Sequence, residues 1–349
     1  MFIQKNFGIK SLWRFAGWHL VWLTLWAVAT TCLIEYTHYL HIYAIKIPWL
    51  PVSLIGTAVA FYVGFKNNSA YDRLWEARKI WGGIVNSSRM WGSNVMSYAS
   101  NQFTNPEISE QELHKIHKKL ISLHITWLYT LRRQLLIPTN WEHINQSKYI
   151  QRHTKMMMNF YGDHLTLDDD TAHNMTYCFA KDNERQKMLD YQNTATQLIN
   201  MQSQELKKLR KQNVIDDFRQ MELQKILNDF YEQQGGCERI KKFPLPRQYG
   251  SMSFIFVGLF IALLPFGLVT EFHALGEWGA WLSIPFSIVV GWVFVVMELI
   301  GDYSENPFEG LGNDVPMLSI CRTIEIDLLE MLGETELPKP IEPKNGVLM

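Results

Sequence analysis

Two groups of ionisable residues and one apolar repeat have types and spacings that could carry a function. The first group is His114, His117 and His124, which could share a helix face, and histidine is the commonest metal ligand. A metal centre needs three or four convergent ligands, and here lysines separate the histidines while no second histidine-rich stretch accompanies them. The pattern favours a solvated helix face. A His-cluster metal enzyme stays open as an alternative.

The second group consists of carboxylates that follow an apolar segment with helical spacing. These are Glu298, Asp302 and Glu305. Ionisable groups at membrane depth are costly, so they are usually paired or face water. One interpretation is that they bind cations at the inner mouth of a pathway. The other is ion pairing with the basic residues Arg239, Lys241 or Lys242.

The apolar block 52–65 contains two stripes with a four-residue period. The bulkier stripe is Thr57, Phe61 and Phe65, and the small stripe is Gly56, Ala60 and Gly64. Small residues let helices approach closely, and a ring of bulky apolar side chains makes a hydrophobic constriction. Copies of this helix around an axis would therefore form a pore neck. A helix packed inside its own subunit remains the alternative, because one chain does not reveal an axis.

The elements that must position these residues are apolar segments. Residues 15–34, 252–270 and 278–297 lack formal charges, and about 20 residues of helix span the roughly 30 Å of a hydrocarbon core. Block 52–65 gives only about 21 Å of helix, which suits protein surroundings better than lipid. We predict an all-α membrane protein with four transmembrane helices in two hairpins.

The stretch between the hairpins reads as amphipathic helices, so we predict a large cytoplasmic helical domain. Prolines near the C-terminus indicate an extended, disordered tail. The predicted parts are 1–66 with the first hairpin and the pore-lining helix, 67–247 as the cytoplasmic domain, 248–301 as the second hairpin, 302–336 as a C-terminal helical segment, and 337–349 as the tail.

Charge and motifs narrow the function further. Basic residues flank the predicted inner ends of the spans, which predicts a multi-pass protein of the cell membrane with both termini cytoplasmic. The formal net charge of −1 gives no reason to expect nucleic acid as a partner. The chain has no P-loop, no GxSxG motif and no Rossmann glycine pattern, so we predict no enzyme, no cofactor and no metal.

Four stretches resemble one known family, the bestrophins, and more closely its bacterial members. They are residues 64–79 (GFKNNSAYDRLWEARK), 234–240 (QGGCERI) with PLP at 244–246, 264–269 (LPFGLV) and 305–308 (ENPF). The resemblance covers most of the chain. It implies an ion channel that is a homopentamer around one central pore.

The resemblance also implies roles for particular residues. The family's neck lies at Thr57, Phe61 and Phe65, although Thr57 is polar where the family usually has an aliphatic residue. A second, cytoplasmic constriction falls on Ile199, ahead of a Gln-Ser pair. Segment 309–314 has a single aspartate, so the calcium clasp of vertebrate bestrophins is not expected. Bacterial relatives are described as conducting cations, so we expect monovalent cations such as sodium. A chloride channel, and a membrane scaffold or regulatory protein, are the alternatives.

Overall fold

The computed structural model describes residues 1–6, 8–40, 47–104, 107–161, 188, 190–276 and 278–349. The regular elements of these residues are helices, and β-structure within them is limited to isolated bridges. The helices are α1 (Ile9–Tyr39, with a π-helical stretch at Trp13–Gly17), α2 (Trp49–Tyr98), α3 (Glu110–Leu135), α4 (Lys148–Tyr161), α5 (Thr194–Lys211), α6 (Asp217–Lys242), α7 (Arg247–Phe272), α8 (Gly279–Asp302) and α9 (Met317–Leu332). The all-helical prediction is therefore confirmed for the described part of the chain.

Local sequence signals explain where several helices begin. The Ser109 hydroxyl accepts the Glu112 N–H at 3.2 Å and caps the beginning of α3. The Asp216 carboxylate does the same for the Arg219 N–H at 2.8 Å at the start of α6. These side chains satisfy backbone donors that the first helical turn leaves without partners.

The described residues form two compact units. We call Gln4–Arg73 with Pro244–Asn306 the span unit, and Met1–Ile3, Leu74–Phe243 and Pro307–Met349 the polar unit. Helix α2 supplies residues to both. The sequence-based boundary at 66/67 differs from this division at Arg73/Leu74, because the helix continues through both positions.

Among the described residues, four helices are long and apolar enough to cross a membrane, as predicted, namely α1, α2, α7 and α8. Their shared core is aliphatic and aromatic, with Leu23, Val63 and Phe260 buried. Tryptophans of α1, including Trp18, stay exposed, as suits a lipid-facing surface.

The second span differs from its sequence-based length. Block 52–65 is the beginning of α2, a helix of 50 residues that extends for about 75 Å. Charged residues after Phe65 end the apolar run, but none of them breaks a helix. Apolar length therefore underestimated helix length.

The polar unit has a core rich in aromatic side chains. Trp91, Trp127 and Phe230 come from three different helices and are fully buried, with the Trp127 and Phe230 rings 4.8 Å apart. The polar unit therefore has a hydrophobic core of its own.

The C-terminal residues 337–349 differ from the disordered tail that their prolines suggested. Val347 is fully buried, and the Ile3 N–H donates to the Gly346 carbonyl at 3.0 Å. The apolar residues after the last proline pack onto the polar unit, so the proline-rich composition describes only the preceding connection.

Candidate functional site

One face of α2 in the span unit is exposed. Phe61 and Phe65 are both 66% exposed, although they are large apolar side chains. Four residues of helix advance by about 40° around the axis, so Thr57, Phe61 and Phe65 share one face. The exposed residues of this face, which we call the neck face, are Leu50, Leu54, Thr57, Phe61, Gly64, Phe65, Asn68 and Asp72.

The opposite face of the same helix is buried within the span unit, and its buried residues include Val52, Val59 and Val63. Its contacts are close, because a Cβ atom on Gly56 would lie only 2.6 Å from the Phe260 ring. A larger residue at this position would therefore force the Phe260 ring to move.

The residues of the predicted small stripe lie on both the buried and the exposed side of α2. Gly56 packs against Phe260, Ala60 is half-buried, and Gly64 is exposed with no described atom within 4 Å of a Cβ placed there. Close packing inside the subunit thus involves Gly56, whereas Gly64 is open in the single chain.

A buried charge pair lies behind the inner end of the neck face. The Lys66 ammonium is 2.5 Å from Glu298 Oε1, and the two side chains are only 2% and 9% exposed. The Ser253 hydroxyl donates to the other oxygen, Glu298 Oε2. The pair joins α2, α7 and α8. The sequence alone does not predict this pair, because Lys66 is one of several basic residues that flank the apolar segments. The signal was that Lys66 and Glu298 each adjoin an otherwise uncharged helical run.

An amide contact reinforces this junction. Asn67 Nδ2 donates to the Met297 carbonyl at 2.8 Å. Gly301 leaves room for Asn67, because a Cβ atom at Gly301 would overlap Asn67 Oδ1. Neighbouring residues of α2 therefore both contact the last turns of α8.

The three predicted acidic residues, Glu298, Asp302 and Glu305, have different surroundings. Glu298 pairs with Lys66, and Glu305, which is 2% exposed, lies 3.2 Å from Arg247 Nη1. Asp302 is half-buried. Of the two sequence-based interpretations, ion pairing describes Glu298 and Glu305.

Two of the expected basic partners of these acids, Arg239 and Lys241, pair with other residues, however. Lys241 is 2.5 Å from Glu142 Oε1, and Arg239 pairs with Glu76. Both basic residues therefore bind acids of the polar unit, which lie far from them in sequence.

Ile199 does not lie on a water-filled surface. Its side chain is fully buried in the core of the polar unit, as is Gln202 one turn later. A residue that lines a central vestibule must be exposed in the isolated subunit. The short Gln-Ser match therefore identified a core position, contrary to the expected constriction.

The three histidines of α3 have separate environments. His117 Nε2 is 2.8 Å from the Ala99 carbonyl, and His124 Nε2 is 2.9 Å from Ser88 Oγ, whereas His114 lies 4.0 Å from Glu334. Within the described residues no group of three or more His, Cys, Asp or Glu side chains could hold a metal ion.

Acid is expected to destabilise the polar unit through His124. Burial among aromatic rings lowers the pKa of His124 to about 3. An unfolded histidine binds a proton near pH 6.5, so stability is present above that pH and falls by about 1.4 kcal/mol per pH unit as the pH decreases toward the folded pKa. His124→Gln should flatten the decrease in melting temperature between pH 7 and pH 5, while the exposed His114→Gln should not. Equal slopes for both variants would contradict this assignment.

The loop after α8 holds its own acidic residues. Asp314 accepts backbone N–H bonds from Phe308 (2.9 Å), Gly310 (2.8 Å) and Val315 (2.7 Å), and Glu309 Oε2 is 2.8 Å from His143 Nδ1. These oxygens already have partners within the chain, so they do not fit a calcium clasp.

Comparison with known proteins gives one consistent assignment. Residues 18–330 match the family model described as Bacterial/Fungal Bestrophin protein. The voltage-dependent anion channel-forming protein YneE of Escherichia coli K12 is 28% identical over 309 residues, which cover 88% of this chain and 83% of the relative. The voltage-dependent anion channel-forming protein RSc3414 of Ralstonia nicotianae is 26% identical over 313 residues, 90% of this chain and 86% of the relative.

A solved structure shares the fold. The crystal structure of a bacterial bestrophin homologue from Klebsiella pneumoniae aligns with a TM-score of 0.71 at 22% sequence identity, covering 91% of this chain and 99% of that chain. The family match covers most of the residues that build the span unit and the polar unit. This chain therefore belongs to the bacterial and fungal bestrophin family.

Proposed function

We propose that this chain assembles as a homopentamer and conducts monovalent ions passively through a central pore whose neck is formed by Thr57, Phe61 and Phe65. The observation that carries the proposal is the exposed neck face of α2, with two phenylalanines each 66% exposed on a helix whose other face is buried. Lipid contact alone would also expose apolar residues, but it does not account for the polar residues that continue the same face, Asn68 and Asp72.

Rings of these residues would make a hydrophobic constriction. Thr57, Phe61 and Phe65 are separated by about 6 Å along the helix axis, so their rings would form a neck about 12 Å long. A narrow apolar passage conducts when it is wetted and closes when it dries. Gly64, which is open in the single chain, would allow a neighbouring copy to approach closely.

The direct test combines mass and conductance. The purified protein in detergent should have the mass of a pentamer, since a pore on a symmetry axis requires an oligomer. The same preparation in planar bilayers should give discrete currents. A monomer, or sealed bilayers without current at any voltage, would contradict the channel and favour the scaffold hypothesis.

We further propose that the channel prefers cations, because the neck face carries Asp72 close to the neck. Asp72 is exposed about 10 Å along α2 from Phe65, and the nearer charge, Lys66, is buried against Glu298. A ring of carboxylates favours cations. The anion alternative is supported by the relatives, which are named anion channel-forming proteins, and by Lys79, which follows Asp72 by seven residues on the same helix.

Two substitutions distinguish these selectivities. Asp72→Asn should shift the reversal potential in a sodium chloride gradient toward that of chloride by removing the anionic ring. Lys79→Gln should shift it in the opposite direction or leave it unchanged. If Asp72→Asn has no effect and Lys79→Gln abolishes an existing chloride preference, the channel is an anion channel and Lys79 is its charged ring.

The proposed membrane arrangement has both termini in the cytoplasm of a cell-membrane protein. It is supported by the four apolar helices of the described residues, an even number, and by basic residues at their predicted inner ends. Labelling of single cysteines introduced at exposed Lys5 and Phe218 in intact cells should fail with impermeant reagents and succeed after permeabilisation.

A further inference from the structure

We propose that Lys66 and Asn67 are positioning residues of the neck, which fix the direction of Phe65 by anchoring the inner end of the neck to α8. The inference rests on the proposed channel function. We call Lys66, Asn67, Ser253, Glu298 and Met297 the neck anchor. Its members come from α2, α7 and α8 within the span unit.

The position of Lys66 in the sequence connects the anchor to the neck. Lys66 directly follows Phe65, yet it is 1% exposed whereas Phe65 is 66% exposed. Neighbouring residues of a helix are about 100° apart around its axis, so holding Lys66 toward the interior sets the direction of Phe65. Rotation of α2 about its axis would have to break the Lys66–Glu298 contact.

The charge pair favours one orientation of α2 about its own axis. Glu298 has both oxygens engaged, one with Lys66 and the other with the Ser253 hydroxyl. Removing one partner of a buried ion pair leaves the other charge uncompensated, which is more costly than removing both. The conformation that keeps the pair is therefore strongly preferred.

The contact of Asn67 acts independently of charge. Its amide donates to the Met297 carbonyl at 2.8 Å, and the missing side chain of Gly301 provides the space beside it. Gly301→Ala would place a methyl group in steric overlap with Asn67 Oδ1 and would force Asn67 to move. The outer part of the neck helix has apolar packing instead, such as Gly56 against Phe260.

Electrophysiology of a double-mutant cycle tests the anchor. Lys66→Met and Glu298→Gln are each expected to change the open probability several-fold. The double variant leaves no buried charge unpaired, so it should regain thermal stability, but its open probability should stay altered because the contact that fixes α2 is still missing. A merely structural pair would alter thermal stability but not the open probability of assembled pentamers, so stability and oligomer mass are measured on the same samples.

A matched control separates anchoring from general destabilisation. Thr31→Val removes another buried polar contact of α8, the 3.5 Å Thr31–Ser283 hydroxyl pair. It should lower the melting temperature and leave conductance and open probability unchanged. Phe61→Ala is recorded in parallel as the test of the neck itself.

The outcomes are distinguishable. Wild-type gating in both single variants, together with altered currents in Phe61→Ala, would overturn the anchor and leave the channel intact. No current from the wild type would overturn both. If the charge variants fail to assemble, Gly301→Ala is the deciding variant, and an unchanged open probability in it would overturn the inference.

Discussion

Phe61→Ala is expected to raise the unitary conductance of the assembled channel, by about tenfold if the central neck ring accounts for about 1.4 kcal/mol of the permeation barrier. Phe61 is the middle residue of the stripe and is 66% exposed in the single chain. Replacing a ring of phenylalanine side chains with methyl groups widens the passage and makes it less prone to dewetting. Single-channel recording in planar bilayers measures the change directly.

A second exposed phenylalanine of the span unit provides the control. Phe254 on α7 is 72% exposed but lies outside the neck face. Phe254→Ala removes the same atoms from a surface that we expect to contact lipid, so its conductance should equal that of the wild type. An unchanged conductance in Phe61→Ala would contradict the neck, and an equal increase in both variants would show an effect unrelated to the pore.

The features that depend on short stretches of sequence were predictable. Three charge-free runs long enough for a bilayer and one shorter apolar block predicted the four spans found among the described residues, since backbone groups in lipid must bond within helices. The four-residue period that relates Thr57, Phe61 and Phe65 gave the neck face, because helical geometry fixes which residues share a side. Its role in an oligomer stays a prediction.

The features that depend on contacts distant in sequence were not predictable. Lys66 and Glu298 are 232 positions apart. Each adjoins an uncharged run, which marks both as unusual, but a single sequence does not show that they pair with each other. Ile199 was assigned to the cytoplasmic constriction from a match of only a few residues. Such a short match does not distinguish a core position from one that lines a cavity. The packing of the C-terminal residues was not predictable for the same reason. Proline content indicates local stiffness, but it does not show whether the segment packs against another part of the chain.

The polar unit contains a buried ion pair whose disruption should have a large effect on stability. The side chains of Lys241 and Glu142 are 6% and 4% exposed, with 2.5 Å between Nζ and Oε1, and the Lys241 ammonium also donates to the Phe308 carbonyl at 3.1 Å. The pair connects α6 to the segment after α3. Burial raises the pKa of Glu142, and the nearby Lys241 opposes that rise.

Lys241→Met is therefore expected to destabilise the polar unit by about 3–5 kcal/mol at neutral pH, because it leaves Glu142 buried without its partner. Without Lys241 the pKa of Glu142 should rise further. A raised folded pKa favours the folded state at low pH, and this advantage is lost as the pH rises through that pKa. The loss of stability in Lys241→Met should therefore be larger at pH 8 than at pH 5.

Thermal unfolding of three variants measures this effect. They are Lys241→Met, Lys241→Met/Glu142→Gln and, as the exposed control on the same helix, Lys225→Met. The double variant should regain much of the stability and the control should match wild type. A Lys241→Met deficit that is independent of pH would mean that lost packing of the lysine side chain, and not the unpaired carboxylate, causes it.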